Sequence, residues 1–194
     1  DYIRYVLDKV GLTDVEIDGI DDYRKYCANS DMLISTPMDD TSAQSAQSII
    51  NDIMTCTNAY MFWSNDRFKI VPLEDRPCGN WKPNTTIMYD LTPDNFIPLN
   101  NDGALITFER KDSSEVYNSY EKETVSYAVN SDIQTYGVRQ ASTLKAHYLY
   151  KTSRAVRLAE MWARRVLYGR NLYTFKLDWA FCRLEVGDLV TLTD

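Results

Sequence analysis

A change of hydrophobic period near the end of the chain constrains its fold more than any other feature. After a polar and aromatic lead-in, Lys145–Tyr150, a helix is predicted from about Arg154 to Tyr168. Ala155, Val156, Ala159, Trp162, Ala163 and Val166 recur there at three- and four-residue spacing, which gathers them on one helical face. Gly169 stops that helix. The period then drops to two over Leu172–Trp179, with Tyr173, Phe175, Leu177 and Trp179 on one side and Leu172, Thr174, Lys176 and Asp178 on the other. A tight turn at Gly187-Asp188 leads to a last strand, Leu189–Thr193. A helix with one apolar face, followed by half-apolar strands, buries that surface by packing helix on sheet. The alanines are small enough to let the helix come close. The segment therefore predicts an α+β protein.

The residues before it repeat the theme. Ile3, Val6, Leu7 and Val10 mark a helix over Asp1–Val10, with Gly11 placed to cap its C-terminus. A second short helix, Ile20–Ala28, carries Tyr23, Tyr26 and Cys27, and its Asp21-Asp22 pair suits the positive end of the helix dipole. Met32–Ser35 is predicted as a short strand. Thr41-Ser42-Ala43-Gln44 fits a capping box for a helix running to about Thr57, with Ala43, Ala46, Ile49, Ile50, Ile53 and Met54 turned inward. Ala59–Trp63 and Arg67–Val71 flank Ser64-Asn65-Asp66 as a hairpin. Pro72–Pro83 reads as a loop, either a domain boundary or a long connection at a sheet edge.

Thr85–Tyr89 and Ala104–Arg110 read as strands, Leu91–Leu99 as irregular, and Glu115–Asn118 is ambiguous. Glu123–Val129 and Gln134–Gln140 pair as a second hairpin around Asn130-Ser131-Asp132. The sum is mixed or antiparallel sheets with a few packed amphipathic helices. The expected division is an N-terminal α+β subdomain over 1–78 and a β-rich subdomain over 79–194 containing the helix 154–168. The chain opens on Asp1 without a methionine and ends just after a strand, so it reads as a fragment of a longer protein.

Composition narrows the function. A chain of 194 residues buries enough surface to fold without disulfides. Cys27, Cys56, Cys78 and Cys182 form no C-x-x-C pair, and the single His147 has no partner at ligand spacing, so metal ligands are none and the thiols read as reduced. No run approaches the ~18 apolar residues of a membrane span. A formal charge of −7 argues against a nucleic-acid footprint. Arg154, Arg157, Arg164, Arg165 and Arg170 form the one local basic cluster, read as the solvated face of the helix, with a phosphate or acidic partner as the alternative. The 14 tyrosines and 4 tryptophans suit half-buried sheets first and protein interfaces second.

Catalytic constellations are missing. A Ser-His-Asp or Cys-His arrangement could use only His147, and no G-x-S-x-G, G-x-G-x-x-G or P-loop occurs among the seven glycines. Asp39-Asp40 and Glu121/Glu123 could flank a glycosidic bond, but two carboxylates alone carry no geometry. Catalytic, cofactor-binding and metal-binding residues are accordingly assigned as none.

The order of motifs resembles a known family. Thr152-Ser153-Arg154-Ala155-Val156-Arg157-Leu158-Ala159, then Phe175, then Gly187-Asp188-Leu189-Val190, is similar to the helix, strand and Gly-Asp turn of tailed-phage (prophage) tail-tip or baseplate hub proteins. Glu123–Tyr127 through Tyr136, the helix and hairpin over Thr41–Val71, and Leu91–Ile97 resemble further segments of the same family. That family includes the lambda-type tip attachment protein and the phage tail proteins of gene-transfer-agent type. Val186 stands where the family usually has proline, and Asn65-Asp66 where a glycine often closes the hairpin. The resemblance implies a non-catalytic structural component of a virion tail tip, made in the bacterial host cytoplasm, linking tail tube to receptor-binding parts. Its implied partners are other tail proteins and, in the full-length assembly, two more copies in a homotrimer, with no cofactor, no direct nucleic-acid binding and no membrane insertion. The alternatives are a carbohydrate-active or peptidoglycan-cleaving tail module, or a small glycan-binding module.

Overall fold

The computed structural model describes residues 2–35, 45–98, 106–110, 115–118, 126–137, 139–140, 144, 146, 148–169 and 171–193. Along them run α1 (Tyr2–Lys9), β1 (Ile17–Asp18), α2 (Ile20–Asn29), α3 (Ala46–Cys56), β2 (Ala59–Ser64), β3 (Arg67–Pro72), β4 (Ile87–Leu91), β5 (Phe96–Ile97) and β6 (Ile106–Arg110). There follow β7 (Glu115–Asn118), β8 (Ser126–Tyr127), α4 (Asn130–Tyr136), β9 (Arg139–Gln140), α5 (Thr152–Tyr168), β10 (Asn171–Leu177) and β11 (Leu189–Leu192). The architecture is α+β, as the two periods imply.

The first hairpin forms where its turn residues direct it. β2 and β3 pair antiparallel from Ala59↔Pro72 to Ser64↔Arg67. Asn65 and Asp66 both take positive φ, 51° and 59°, the backbone of a two-residue turn whose twist matches that of the strands. β1 joins β3 in parallel, Ile17 opposite Phe68, to give the order β1-β3-β2. A two-residue strand is too short to show alternation, so its sequence carries no signal.

Helices α2 and α3 cover this sheet, and α1 packs against α3. Ile3, Leu7, Tyr26, Ile53 and Cys56 are almost fully buried, and Ile70 of β3 lies among them. Fully burying a side chain of this kind contributes about 1.5–3 kcal/mol. α3 presents Ile50, Ile53 and Met54 inward, as the periodicity requires. Its cap is Ser45, whose side chain accepts from the Ser48 amide at 3.2 Å; the expected capping box, Thr41–Gln44, lies outside the described residues.

α5 enters the same core from the far end of the chain through Leu158 and Met161. On its other flank Ala159 and Ala163 pack near Tyr127 of β8. The helix is wedged between two layers, so its buried arc is wider than one face and swings toward Leu158. Val156, expected inward, falls at the edge of that arc and is exposed.

Three further expectations are corrected. The hairpin over 123–140 does not form: Asn130–Tyr136 is the helix α4, and β8 and β9 lie on opposite sides of β7, antiparallel and parallel to it. Asn, Ser and Asp favour a helix start as readily as a turn, and local chemistry does not choose between them. Met32–Ser35 is not a strand; it runs as irregular chain, with the Ser35 amide bonded to the Tyr148 carbonyl at 3.0 Å and Met32 buried. The strand expected to reach Trp179 ends at Leu177, and Trp179–Phe181 forms a 3-10 turn that Asp178 caps. Elsewhere β10 is the centre of a β5-β10-β6 sheet, Phe175 packs on Phe96 with ring centroids 5.3 Å apart, and β11 pairs in parallel with β4.

Candidate functional site

The basic cluster on α5 is absorbed by contacts within the chain. Arg154, expected in solvent, is 5% exposed. Its Nε and Nη2 donate to Asp31 Oδ1 at 3.1 and 2.8 Å, and its Nη1 donates to the Leu33 carbonyl at 2.8 Å. The bonds from Arg154 hold the Asp31 carboxyl below its ordinary value of 3.8. Glu160 sits between Arg157 and Arg164 and accepts from both. Arg165 donates to Tyr60 Oη at 2.8 Å and lies over the rings of Tyr60 and Trp162. A guanidinium laid on aromatic faces gains both packing and charge–quadrupole attraction. Arg170 lies outside the described residues.

The concave sites among the described residues are small. One cleft of about 260 Å³ runs between Leu73–Arg76 and the C-terminal end of α5, with Glu74, Asp75, Arg76, Arg164 and Arg165 on its walls. Charges of both signs face each other there. An apolar cavity of about 210 Å³ lies among Tyr23, Cys27, Met32 and Ile53. Tyr23 donates to Thr57 Oγ1 at 2.8 Å, and burial pushes its phenol well above 10.0. Asp39-Asp40, Glu121, Glu123 and His147 all lie outside the described residues. Among the described residues no group of three or more His, Cys, Asp or Glu side chains is placed to hold a metal ion, and no helix is long and apolar enough to cross a membrane.

Loop residues read only as connections carry specific contacts. Trp81 is buried edge-on against Tyr26, at 4.9 Å between ring centroids, and its Nε1 donates to Asp22 Oδ2 at 2.8 Å. Asp22, expected only to serve the dipole of its helix, is also the acceptor for that indole. In the closing segment Glu185 accepts from Ser64, Asn65 and Lys69 of the first hairpin. Wide separation along the chain, 59 residues for Trp81 and Asp22 and more than a hundred for Glu185 and the hairpin, hid these partners.

Several apolar side chains are exposed on the closing β-strands and the turns beside them. Trp179 is 83% exposed. Ile87 and Leu189 are opposed across the β4–β11 ladder, and both are exposed, as are Met88, Val186 and Leu192. Leu172 and Tyr173, on opposite faces of β10 in the neighbouring sheet, are exposed as well. Exposed tryptophan and other large apolar side chains are more characteristic of interface cores than of ordinary solvated surface. Exposed apolar side chains of this kind can bind another protein.

Among curated proteins, none matches the sequence closely enough to count as a relative. A solved structure, the prophage tail protein gp18 from Listeria monocytogenes EGD-e, aligns with a TM-score of 0.39 and 12% identity. The alignment covers 81% of this chain and 45% of that one, so this chain spans less than half of its length. The model of the family described as "Putative phage tail protein" matches residues 45–194, from the cap of α3 to the end. The chain belongs to this family of phage tail proteins.

Proposed function

We propose that this chain is a non-catalytic structural component of the tail tip, or baseplate hub, of a phage or prophage, linking the tail tube to receptor-binding parts. Family membership supports a place in the virion tail. The exposure of Trp179 carries the reading further, because a side chain 83% exposed on a short capped turn is presented to a neighbour rather than to the core. In this reading the neighbours are other tail proteins and, in the full-length assembly, two further copies forming a homotrimer. Burial of aromatic anchors at the centre of an interface supplies most of its binding energy.

Epitope-labelled chain in assembled tails, viewed by electron microscopy, tests the position. Label confined to the tip supports the proposal, and label along the tube overturns it. Light scattering on the full-length protein is expected to give a trimer. A zymogram against host cell walls tests the absence of catalysis: clearing by this chain alone would replace the structural role with a cell-wall-cleaving one.

A further inference from the structure

Three sheets meet at one turn. β10 leaves the β5-β10-β6 sheet, the chain crosses residues 178–188, and β11 enters the two-stranded ribbon with β4. Midway, Glu185 rests on the third sheet. Ser64 Oγ at the end of β2 and Lys69 Nζ on β3 donate to its carboxylate, and Asn65 Nδ2 in the turn adds a longer bond of 3.4 Å.

The turn itself is closed on both sides. The Glu185 amide donates to Asp188 Oδ2 at 2.8 Å, and the Asp188 amide donates to the Glu185 carbonyl at 3.1 Å. Gly187 comes so close to β3 that a Cβ built there would lie 3.0 Å from Val71 Cγ1. The ribbon that follows is covered unevenly: Leu91 is fully buried and Tyr89 packs on Phe181, while Ile87 and Leu189, cross-strand neighbours at its start, both stand in solvent. An isolated pair of strands is marginal in water. Lys69 and Glu185, by contrast, are 21% and 25% exposed. A charge-assisted pair so sheltered, with further donors on the same carboxylate, holds more firmly than a surface pair.

We propose that Glu185 is a latch, one carboxylate that clamps the closing turn to the first hairpin and so sets where the β4–β11 ribbon sits. Lys69 is the charged group facing it from the hairpin, Asp188 is the one on its own turn, and Arg67 of the hairpin pairs instead with Glu16 at 3.2 Å. Bonds from Lys69 and Ser64 hold the Glu185 carboxyl below its ordinary 4.5. The latch is therefore closed at neutral pH and opens as the pH falls through that lowered value.

Hydrogen exchange of the full chain at one fixed pH tests the latch by comparing it with Glu185→Gln and Lys69→Met. Exchange across Leu189–Leu192 is expected to quicken about tenfold or more in both variants, while α2 and α3 keep their protection, because opening is local rather than global. The exchanged pair, Lys69→Glu with Glu185→Lys, is expected to restore most of the protection. Unchanged exchange at Leu189–Leu192 in both variants, or an equal rise throughout α2 and α3, overturns the proposal.

Discussion

Arg154, at the start of α5, grips Asp31, just past the end of α2, through two nitrogens on one carboxylate oxygen. The same guanidinium lies 5.1 Å from the ring centroid of Tyr150 and holds the Leu33 carbonyl. Asp31 takes a left-handed φ of 54°, which aims its carboxylate at the helix arriving from the far end of the chain.

Replacing this arginine is expected to be costly. Arg154→Ala leaves the Leu33 carbonyl without its donor and removes buried packing, and is expected to destabilise the chain by roughly 2–3 kcal/mol. Arg154→Lys is expected to recover little, since an ammonium cannot span both acceptors as the planar fork does. Asp31→Ala is expected to cost less than Arg154→Ala because Asp31 is largely exposed and water replaces part of its role. Urea unfolding midpoints at constant slope check the order.

Two glycines separate backbone strain from collision. Both Gly19 and Gly187 have positive φ, 77° and 92°. A Cβ on Gly19 would lie 2.6 Å from the Ile70 backbone oxygen, whereas on Gly187 it would lie 3.0 Å from a Val71 methyl. Backbone in a strand ladder cannot give way, and a side chain can turn. Gly187→Ala is expected to cost about 1–2 kcal/mol, and Gly19→Ala distinctly more. Thermal unfolding of the two variants decides it.

The thiols are expected to divide one against three. Cys182 is exposed, while Cys27, Cys56 and Cys78 are buried. Burial pushes the thiols of Cys27 and Cys56 up to about 11 and about 12, which suppresses the reactive thiolate. An Ellman-type reagent should titrate one thiol quickly in the native chain and all four in denaturant.

Acid is expected to weaken the fold late. Bonds from Thr191 and Thr193 hold the Asp90 carboxyl below its ordinary 3.8, and the bonds from Arg154 do the same for Asp31. A carboxyl whose folded value is depressed contributes stability that is complete above its unfolded value and lost as pH falls through the folded one. Tm should therefore hold level down to about pH 5 and drop below about pH 4. Asp90→Ala should flatten the drop.

Trp179 is expected to matter for assembly and not for folding. Trp179→Ala should leave stability within about 0.5 kcal/mol. It should weaken incorporation into tails by about 2 kcal/mol or more if the indole fills a partner's pocket. Circular dichroism melts and competition for incorporation against the wild-type chain measure the two effects separately.

Sequence and structure agree where the signal is local. The β2–β3 turn was legible because Asn65 and Asp66 tolerate positive φ. The helices α1, α2 and α5 were legible because their apolar residues recur at 3.6. The segment 123–140 was misread because Asn130-Ser131-Asp132 serves a helix start as well as a turn. Trp179 was read as the last residue of the strand because strict alternation continued too far; the strand ends at Leu177, and Asp178 caps the turn that carries the exposed indole. No local signal marked Arg154 or Glu185, since helical spacing and turn chemistry say nothing about a partner more than a hundred residues away.

By itself, the sequence determined the α+β class, the first hairpin, the amphipathic closing helix and the order of motifs that marks a phage tail protein. These follow from backbone preference and hydrophobic period, which act over a few residues. Tertiary structure alone decided that α5 is wedged between two layers, that Arg154 is buried on Asp31, and that one glutamate at the meeting of three sheets faces the first hairpin. Such pairings depend on how distant surfaces meet when the chain closes on itself, and the electrostatic gain of each exists only in that closed geometry.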